Sequence, residues 1–275
     1  MNFLPWTLER GTGPLLATAI HDGHQLREEI VPYLAISEQD QLREEDPQTG
    51  RWTEIAPTRI VAHRSRFEVD LNRPRKKAVY LTEDDAWGLH VWKAVPNDEI
   101  VKKSLAIYDV FYQEVKGLLE RMVARYGHVV VFDLHTYNHR RQGPDSPIAD
   151  PKENPEVNVG TGTMDRRRWS SVIDRFIVDL RNFDFLGRAL DVRENVRFRG
   201  GNFAQWIHET FPESVCVLSI EVKKFFMDEW TGTFDALQTK TVRRALQSTI
   251  WGVYEELAHL SSDPFDTSYT ETIES

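Results

Sequence analysis

Short apolar runs alternate with longer segments of helical periodicity along the chain. Runs rich in β-branched and aromatic residues predict strands. The predicted strands are Leu15–Ile20, Ile60–His63, Phe67–Leu71, His128–Phe132 and Val215–Glu221. This alternation favours a single α/β domain with a mixed, mostly parallel central sheet flanked by helices. In sheets of this kind, ligands bind in the crevice beyond the carboxyl ends of the strands.

The clearest helical pattern covers Ile100–Arg125, where apolar residues recur on one face. Asn97 or Asp98 can cap its start, and Gly127 can end it. Three further helices are predicted: Arg168–Leu180, Asn202–Phe211 with Asn202 as its cap, and one long amphipathic helix over Thr233–Leu260.

Two segments, 37–54 and 142–156, have the composition of loops and predict long surface loops that could shape a pocket. Residues 1–262 are expected to form the single domain. Residues 263–275 are expected to form a polar, acidic tail.

Composition and charge narrow the class of protein. The chain of 275 residues has a net charge of -9, which argues against a nucleic-acid binder but leaves room for a local positive pocket for a small anionic substrate. Its single cysteine, Cys216, lies in an apolar run and predicts a buried structural thiol in a reducing compartment. The sequence has no apolar run of about 20 residues and no signal-peptide pattern, so we expect no membrane span and a cytoplasmic location.

Histidines follow two of the predicted strands at the point where each strand ends. His21 and His24 come directly after the first, three residues apart, and two imidazoles on a turn can face one zinc ion. In isolation, this pair is better explained as an ordinary surface turn. His135 follows a second strand, beside Asp133. Taken alone, it would be interpreted as a partly buried histidine whose ring nitrogens have hydrogen-bond partners. Together, these positions predict a zinc site built from separate strand ends, with Asp133 orienting an imidazole and residues 137–141 at the pocket rim.

The stretch 64-RSRFEVDLNRPR-75 could be a half-exposed strand with a charged face. Alternatively, Asn72 and Arg73 lie where the strand meets a proline. An arginine there offers a rigid fork that grips a carboxylate through two hydrogen bonds, and Asn72 adds directional ones. Arg64 and Arg66 add positive charge to the same segment.

Two further features suit chemistry beside a metal. Glu221 ends an apolar strand, where a carboxylate is costly unless it is paired or functional. It could pair with a lysine or arginine, or act as general base on a metal-activated water. Gly200 and Gly201 precede a helix and permit close backbone approach to a ligand, although an ordinary turn would also explain them.

The order of these stretches resembles that of the N-formylglutamate amidohydrolase family, which is similar in layout to zinc carboxypeptidases and aspartoacylases. The stretches are 20-IHDG-23, 65-SRFEVDLNRP-74, 133-DLHT-136, 157-VNVGT-161, 200-GG-201 and 219-SIEVKKFFMDE-229. They extend over most of the chain, and SRxxxDLNRP is the most specific of them.

The resemblance implies a phosphorylase/hydrolase-like fold and zinc-dependent hydrolysis of the amide bond of an N-acyl amino acid such as N-formylglutamate. His21 and His135 would bind Zn²⁺, and Glu221 would be the general base. Asn72 and Arg73 would hold the substrate carboxylate, with Arg66 or Arg64 stabilising the oxyanion. Gly200 and Gly201 would lie against the substrate.

Some positions depart from the pattern. The middle zinc ligand of carboxypeptidases would fall on His24, although Glu45 or Asp46 could replace it. Thr136 stands where the family usually has serine, and Val222 to Lys224 stand where asparagine and arginine are more common. These differences bear on the substrate more than on the reaction.

Two other functions remain open. One is carboxypeptidase-like or deacylase activity on another N-acyl amino acid or a peptide. The other is a catalytically inactive member of the fold that binds an amino-acid-like ligand or a protein. A serine or cysteine hydrolase is disfavoured, because Cys216 lies in an apolar strand and no GxSxG motif occurs.

Overall fold

The computed structural model describes residues 4–262 of the chain. The strands of this range form one sheet. They are β1 (Trp6–Glu9), β2 (Leu15–Ala19), β3 (Thr58–Ala62), β4 (Val129–Tyr137), β5 (Val157–Gly160), β6 (Val192–Glu194) and β7 (Val215–Lys223). The α-helices are α1 (Glu38–Glu44), α2 (Thr49–Trp52), α3 (Asp98–Tyr126), α4 (Ser170–Asn182), α5 (Asn202–Thr210), α6 (Ala236–Ser248) and α7 (Ile250–Ser262).

The strand order is β1-β3-β2-β4-β7-β5-β6. The central strands β3, β2, β4 and β7 are parallel. At one edge β1 runs antiparallel to β3, and at the other β5 runs antiparallel to β7 and parallel to β6. The predicted fold class, a single α/β domain with a mixed, mostly parallel sheet flanked by helices, is confirmed.

Each face of the sheet is covered by a separate apolar core. On one face, Phe132 and Leu134 pack with residues of α4, α6 and α7. On the other face, Val129 and Val131 pack with residues of α3 and α5. The long strands β4 and β7 are therefore buried on both sides, which explains their nearly continuous apolar sequences.

The α3/α5 face changes character towards the carboxyl ends of the strands. Side chains alternate between faces along a strand, so Asp133 and His135 follow Val131 on the same face of β4. On β7, Ser219 and Glu221 follow Val217 in the same way. The opposite face remains apolar at Leu134, Ile220 and Val222. Polar side chains are thus concentrated on one face, at the carboxyl ends of strands that are otherwise apolar.

The structure confirms several predicted elements. Helix α3 begins after Asn97, whose side chain accepts a hydrogen bond from Ile100 N, and it ends at Gly127. Cys216 is free and buried in the core. Segment 142–156 contains neither a helix nor a strand.

No helix of the described range is both long and apolar enough to cross a membrane.

Other predicted elements were wrong. The single helix over Thr233–Leu260 is two helices, α6 and α7, which meet at the buried Thr249. The Thr249 hydroxyl donates to Leu246 O at 2.8 Å and so competes with the helical backbone pattern. Helix α5 is capped at Gly201 rather than Asn202. Strands β1, β5 and β6 were not predicted, because runs of three or four residues carry little periodicity. The predicted tail, 263–275, lies outside the described residues.

Two errors involve segments near the site. Phe67–Leu71 forms turns instead of a strand: Glu68 N donates to Ser65 O, and Asn72 N donates to the Asp70 side chain at 2.7 Å. Segment 37–54 was predicted to be a surface loop but folds into α1, α2 and a short 3₁₀ turn. Ser37 caps α1 by accepting from Asp40 N. The segment 38-EQDQLRE-44 contains only one large apolar residue, so hydrophobic periodicity could not reveal the helix.

Candidate active site

A cavity of about 350 Å³ opens at the carboxyl ends of the central strands. It is rich in cations: of the described residues, seven cationic side chains and three carboxylates line it. The cations are Arg43, Arg66, Arg73, Arg141, Arg197, Arg199 and Lys224, and the carboxylates are Glu44, Asp46 and Glu221. This acidic protein therefore contains the local positive pocket that its net charge left open.

Three buried side chains at the base of the cavity form a group able to hold a metal ion. One ligand atom from each of His21, Asp46 and His135 lies within 4.8 Å of the others. His135 Nδ1 is 3.0 Å and His21 Nδ1 is 3.4 Å from the same carboxylate oxygen, Asp46 Oδ2. Two imidazole nitrogens and a carboxylate oxygen form a donor set that suits catalytic zinc.

The far nitrogen of each imidazole is held by a second carboxylate. His21 Nε2 is 2.8 Å from Asp70 Oδ1, and His135 Nε2 is 3.0 Å from Asp133 Oδ2. Such contacts fix the ring orientation and leave Nδ1 free to face a metal. Asp133 thus occupies the orienting position predicted for it, whereas Asp70 was not recognised as its counterpart.

Asp46 is placed between α1 and α2 by several contacts. Its backbone N–H donates to His21 O at 2.9 Å, and Thr136 Oγ1 donates to Asp46 Oδ1 at 2.9 Å. Lys224 Nζ donates to Arg43 O at 2.5 Å and to Glu45 O at 2.8 Å, which ties the segment to the end of β7. The second carboxylate oxygen, Oδ2, is left directed at the two imidazoles.

His24 is not part of this group, so its placement as the middle ligand requires correction. Its Nδ1 lies 2.6 Å from Glu45 Oε2, and Gln41 and Glu38 also contact its ring. Glu45 is occupied by His24 and by the hydroxyl of Ser65 at 2.5 Å. Of the three candidates for the middle position, only Asp46 lies with His21 and His135. Sequence spacing alone could not distinguish Asp46 from its neighbour Glu45.

Glu221 lies beside the group on the next strand. It is the direct partner of His135 in the β4–β7 pairing and lines the same cavity. Burial raises the pKa of its carboxyl to about 7: the charge on His135 opposes this, and Asp46 and Asp133 add to it. A carboxyl in this position can exchange a proton near neutral pH.

The charges within the group explain its other ionisation properties. Burial opposes ionisation of Asp46, but hydrogen bonds and charges from His135 and His21 outweigh it and lower the pKa of Asp46. Burial likewise opposes protonation of His135, but Asp133, Asp46 and Glu221 raise its pKa well above the ordinary value. The surroundings therefore favour positive charge at this point, as a metal site requires.

The residues predicted to hold substrate divide into those at the cavity and one outside it. Asn72 and Arg73 line the cavity. Asn72 Oδ1 accepts from Phe203 N at 2.9 Å and so caps α5, which leaves its side-chain NH₂ to reach a ligand. A Cβ at Gly201 would lie 2.3 Å from Asn72 Oδ1, so only glycine fits there. Gly200 has a φ of 111°, in the region that favours glycine.

Arg66 and Arg64 lie differently with respect to the cavity. Arg66 lines it, but its guanidinium is held by Asp70 at 2.9 Å, by Tyr80 at 3.1 Å and by Glu44 O. Arg64 is not among the residues that line it, and its Nη1 lies 4.0 Å from Glu68 Oε2. The turn at 65–69 directs these two arginines apart, whereas the predicted strand would have placed them on one face.

Several cavity residues carried no recognisable signal in the sequence. Trp87 lies over both Arg66 and Arg73, with guanidinium-to-ring distances of 4.8 and 5.4 Å. Arg197 and Arg199 come from the segment that follows β6. Because the chain has 34 lysines and arginines, nothing in the sequence distinguished these from surface cations.

Comparison with known proteins identifies the family and the fold. The family model for N-formylglutamate amidohydrolase matches residues 13–227. Among solved structures, an N-formylglutamate amidohydrolase from Ralstonia eutropha JMP134 matches with a TM-score of 0.72 and 17% identity, over 94% of this chain and 98% of that one. A gene product from Agrobacterium tumefaciens gives a TM-score of 0.63 and 15% identity, over 90% and 95%. No curated protein gave a significant match by sequence.

Proposed function

Because the chain belongs to the N-formylglutamate amidohydrolase family, we propose that it is a zinc-dependent hydrolase of the amide bond of N-acyl amino acids, with N-formylglutamate as the first candidate substrate. The observation that carries this proposal is the buried group of His21, Asp46 and His135, with Glu221 beside it in a cation-lined cavity. The donor set fits zinc, and the orienting carboxylates Asp70 and Asp133 are in place.

A zinc ion bound by His21, Asp46 and His135 would polarise the scissile carbonyl and increase the acidity of the attacking water. Asp70 and Asp133 would keep the imidazoles in the tautomer that presents Nδ1 to the metal. Thr136 would keep one oxygen of Asp46 occupied, so that the other remains available as the ligand.

Glu221 acts as the general base. As the water oxygen attacks the acyl carbon, one proton passes from water to the Glu221 carboxylate. Glu221 then returns this proton to the nitrogen of the departing amine as the C–N bond breaks. The products are the free carboxylic acid, formate in the simplest case, and the amino acid.

Cationic residues that line the cavity hold the substrate. Arg73 binds the carboxylate of the amino-acid portion through its fork, and the NH₂ of Asn72 donates to the same group. Arg66 is fixed by Asp70 and Tyr80, so it stabilises the developing oxyanion through a preorganised field. The partner implied is a small, anionic, amino-acid-like molecule.

The test is the variant Glu221→Gln, assayed with N-formylglutamate after zinc loading. Turnover should fall by about a hundredfold or more, because general-base catalysis of this kind contributes 10²–10⁴. Elemental analysis should still find zinc, because Glu221 is not a ligand. Glu209→Gln, on the exposed face of α5, is the matched control. Retention of turnover by Glu221→Gln, or loss of zinc from it, would contradict the assigned role.

A further inference from the structure

A second cavity of about 280 Å³, here called the side pocket, adjoins the site cavity. Asn138, Arg141 and Arg197 line both cavities. The other lining residues of the side pocket are His139, Gln142, Ser146, Pro147, Ile148, Ala149 and Asn154. The side pocket therefore lies next to the cavity that contains His21, Asp46 and His135.

The shared wall carries positive charge that nothing in the described range neutralises. Neither Arg141 nor Arg197 forms an ion pair with a residue of 4–262. Stacking steadies Arg197, whose guanidinium carbon lies 5.5 and 5.9 Å from the ring centroids of Phe198 and Tyr137. An unpaired guanidinium at a cavity wall suits a carboxylate.

The lining of the side pocket also has an apolar portion. Pro147, Ile148 and Ala149 form it, and Ile148 is 53% exposed. A short methylene chain would cover this surface and gain from leaving water. The lining therefore suits a ligand portion with a short apolar chain and an anionic end.

The walls are anchored, so the side pocket exists before any ligand binds. The buried carboxylate of Glu229 accepts from His139 N at 2.8 Å and from Arg140 N at 2.9 Å. Ala149 N donates to His139 O at 2.7 Å, and the Tyr137 hydroxyl donates to Pro155 O. A preformed pocket binds a ligand without the cost of ordering a loop.

The residues that line each cavity give the direction of the ligand. Arg73 lines the site cavity but not the side pocket, whereas Arg141 and Arg197 line both. The metal group and Glu221 also line the site cavity alone. A substrate with its amino-acid carboxylate on Arg73 therefore directs its acyl group towards the side pocket.

We propose that the side pocket binds the far end of the acyl group, and that the preferred substrate is an N-acyl amino acid whose acyl chain ends in a carboxylate. This inference rests on the proposed amide hydrolysis and specifies its substrate class. A formyl group would leave the side pocket and its two guanidiniums unused.

The experiment compares the N-succinyl and N-butanoyl derivatives of glutamate, which have similar acyl chains and differ by the terminal charge. The kcat/KM of the protein should be about tenfold or more higher for the succinyl compound, because hydrogen bonds to charged groups are stronger than those between neutral groups. The double variant Arg141→Gln/Arg197→Gln should abolish that preference. Arg244→Gln, an exposed arginine of α6, should retain it. Ala149→Phe, which fills the side pocket without removing charge, should lower kcat/KM for both the succinyl and the butanoyl compound.

Two outcomes separate this inference from the proposed function. If N-formylglutamate is hydrolysed but the succinyl preference is absent or survives in the double variant, the inference is overturned and amide hydrolysis stands. If no amide is hydrolysed, calorimetric binding of the same two compounds decides. Binding of the succinyl compound that is tighter by about tenfold and lost in the double variant supports the side pocket. Equal affinities overturn it.

Discussion

Single side chains gain their roles here from the groups around them. His135 alone reads as an ordinary core histidine, but Asp133 holds one ring nitrogen and Asp46 faces the other. His21 is held in the same way by Asp70. This repeated pattern, in which a carboxylate fixes the imidazole and the free nitrogen faces a shared point, is typical of metal sites and is not expected of a chance pair of histidines.

The variant Asp133→Asn tests that pattern. Asparagine can still accept from His135 Nε2, but the negative charge that strengthens the imidazole as a ligand is lost. We expect zinc affinity to fall by about ten- to a hundredfold, measured by competition with a chelator of known affinity. Asp109→Asn, at an exposed ion pair with Arg75, is the control. Unchanged zinc affinity in Asp133→Asn would show that Asp133 does not support the ligand.

At the scale of elements, the short segment from α1 to α2 decides the site. It delivers Asp46 to the imidazoles, and it is tied to β2 through His21 O and to β7 through Lys224. Asp22 holds α2 by accepting from Gly50 N at 3.0 Å, and a Cβ at Gly50 would displace this carboxylate. A sequence with loop composition thus forms a rigid wall of the cavity.

The packing of α5 against β7 contains a pH-sensitive contact. His208 is buried on α5, accepts from Val217 N at 3.0 Å and lies 2.9 Å from Thr163 Oγ1. Burial lowers the pKa of His208 to about 4, whereas an unfolded histidine has a pKa of about 6.5. The neutral form is favoured in the folded state, so its contribution is complete above about pH 6.5 and is lost as the pH falls towards 4.

The variant His208→Gln should therefore change the pH dependence of stability. In denaturant unfolding, the free energy of unfolding of the unsubstituted protein should fall by about 3 kcal/mol more than that of the variant between pH 7 and pH 4. This estimate uses about 1.4 kcal/mol per pKa unit. His90→Gln, at an exposed histidine, should leave the profile unchanged. A constant difference between native and His208→Gln proteins across this range would show that His208 is not the titrating group.

At the scale of the whole molecule, the sheet brings together several carboxylates whose mutual repulsion a bound metal ion would reduce. The side chains of Asp46, Asp70 and Asp133 are buried at one edge of the sheet, and Glu221 lies beside them. Because the metal would bind only the folded state, it should stabilise the protein. The gain is about 4 kcal/mol at a free metal concentration of a thousand times the dissociation constant.

Removal of zinc by a chelator should accordingly lower the melting temperature by roughly 10 °C, given about 2–4 °C per kcal/mol for a chain of this size. Calorimetry of the protein with and without zinc measures the shift. Asp46→Asn should show little response to zinc, because it lacks the charged ligand. A zinc-dependent increase of equal size in Asp46→Asn would argue against the group at His21, Asp46 and His135.

The sequence by itself determined the α/β class, the central parallel strands, helix α3 and the positions of His21, His135 and Glu221 at strand ends. These features are local: alternating or periodic apolar residues select an element, and the polar residue that ends an apolar strand marks the edge where ligands bind.

Only the tertiary structure brought Asp46, rather than His24 or Glu45, to His21 and His135, because this placement depends on how α1 and α2 cross the sheet edge. It also separated Arg64 from Arg66 and brought Arg197 to the cavity from beyond β6. The physical reason is that ligand geometry is set by contacts between segments far apart in sequence. Composition and periodicity report burial, but they do not report which buried groups meet.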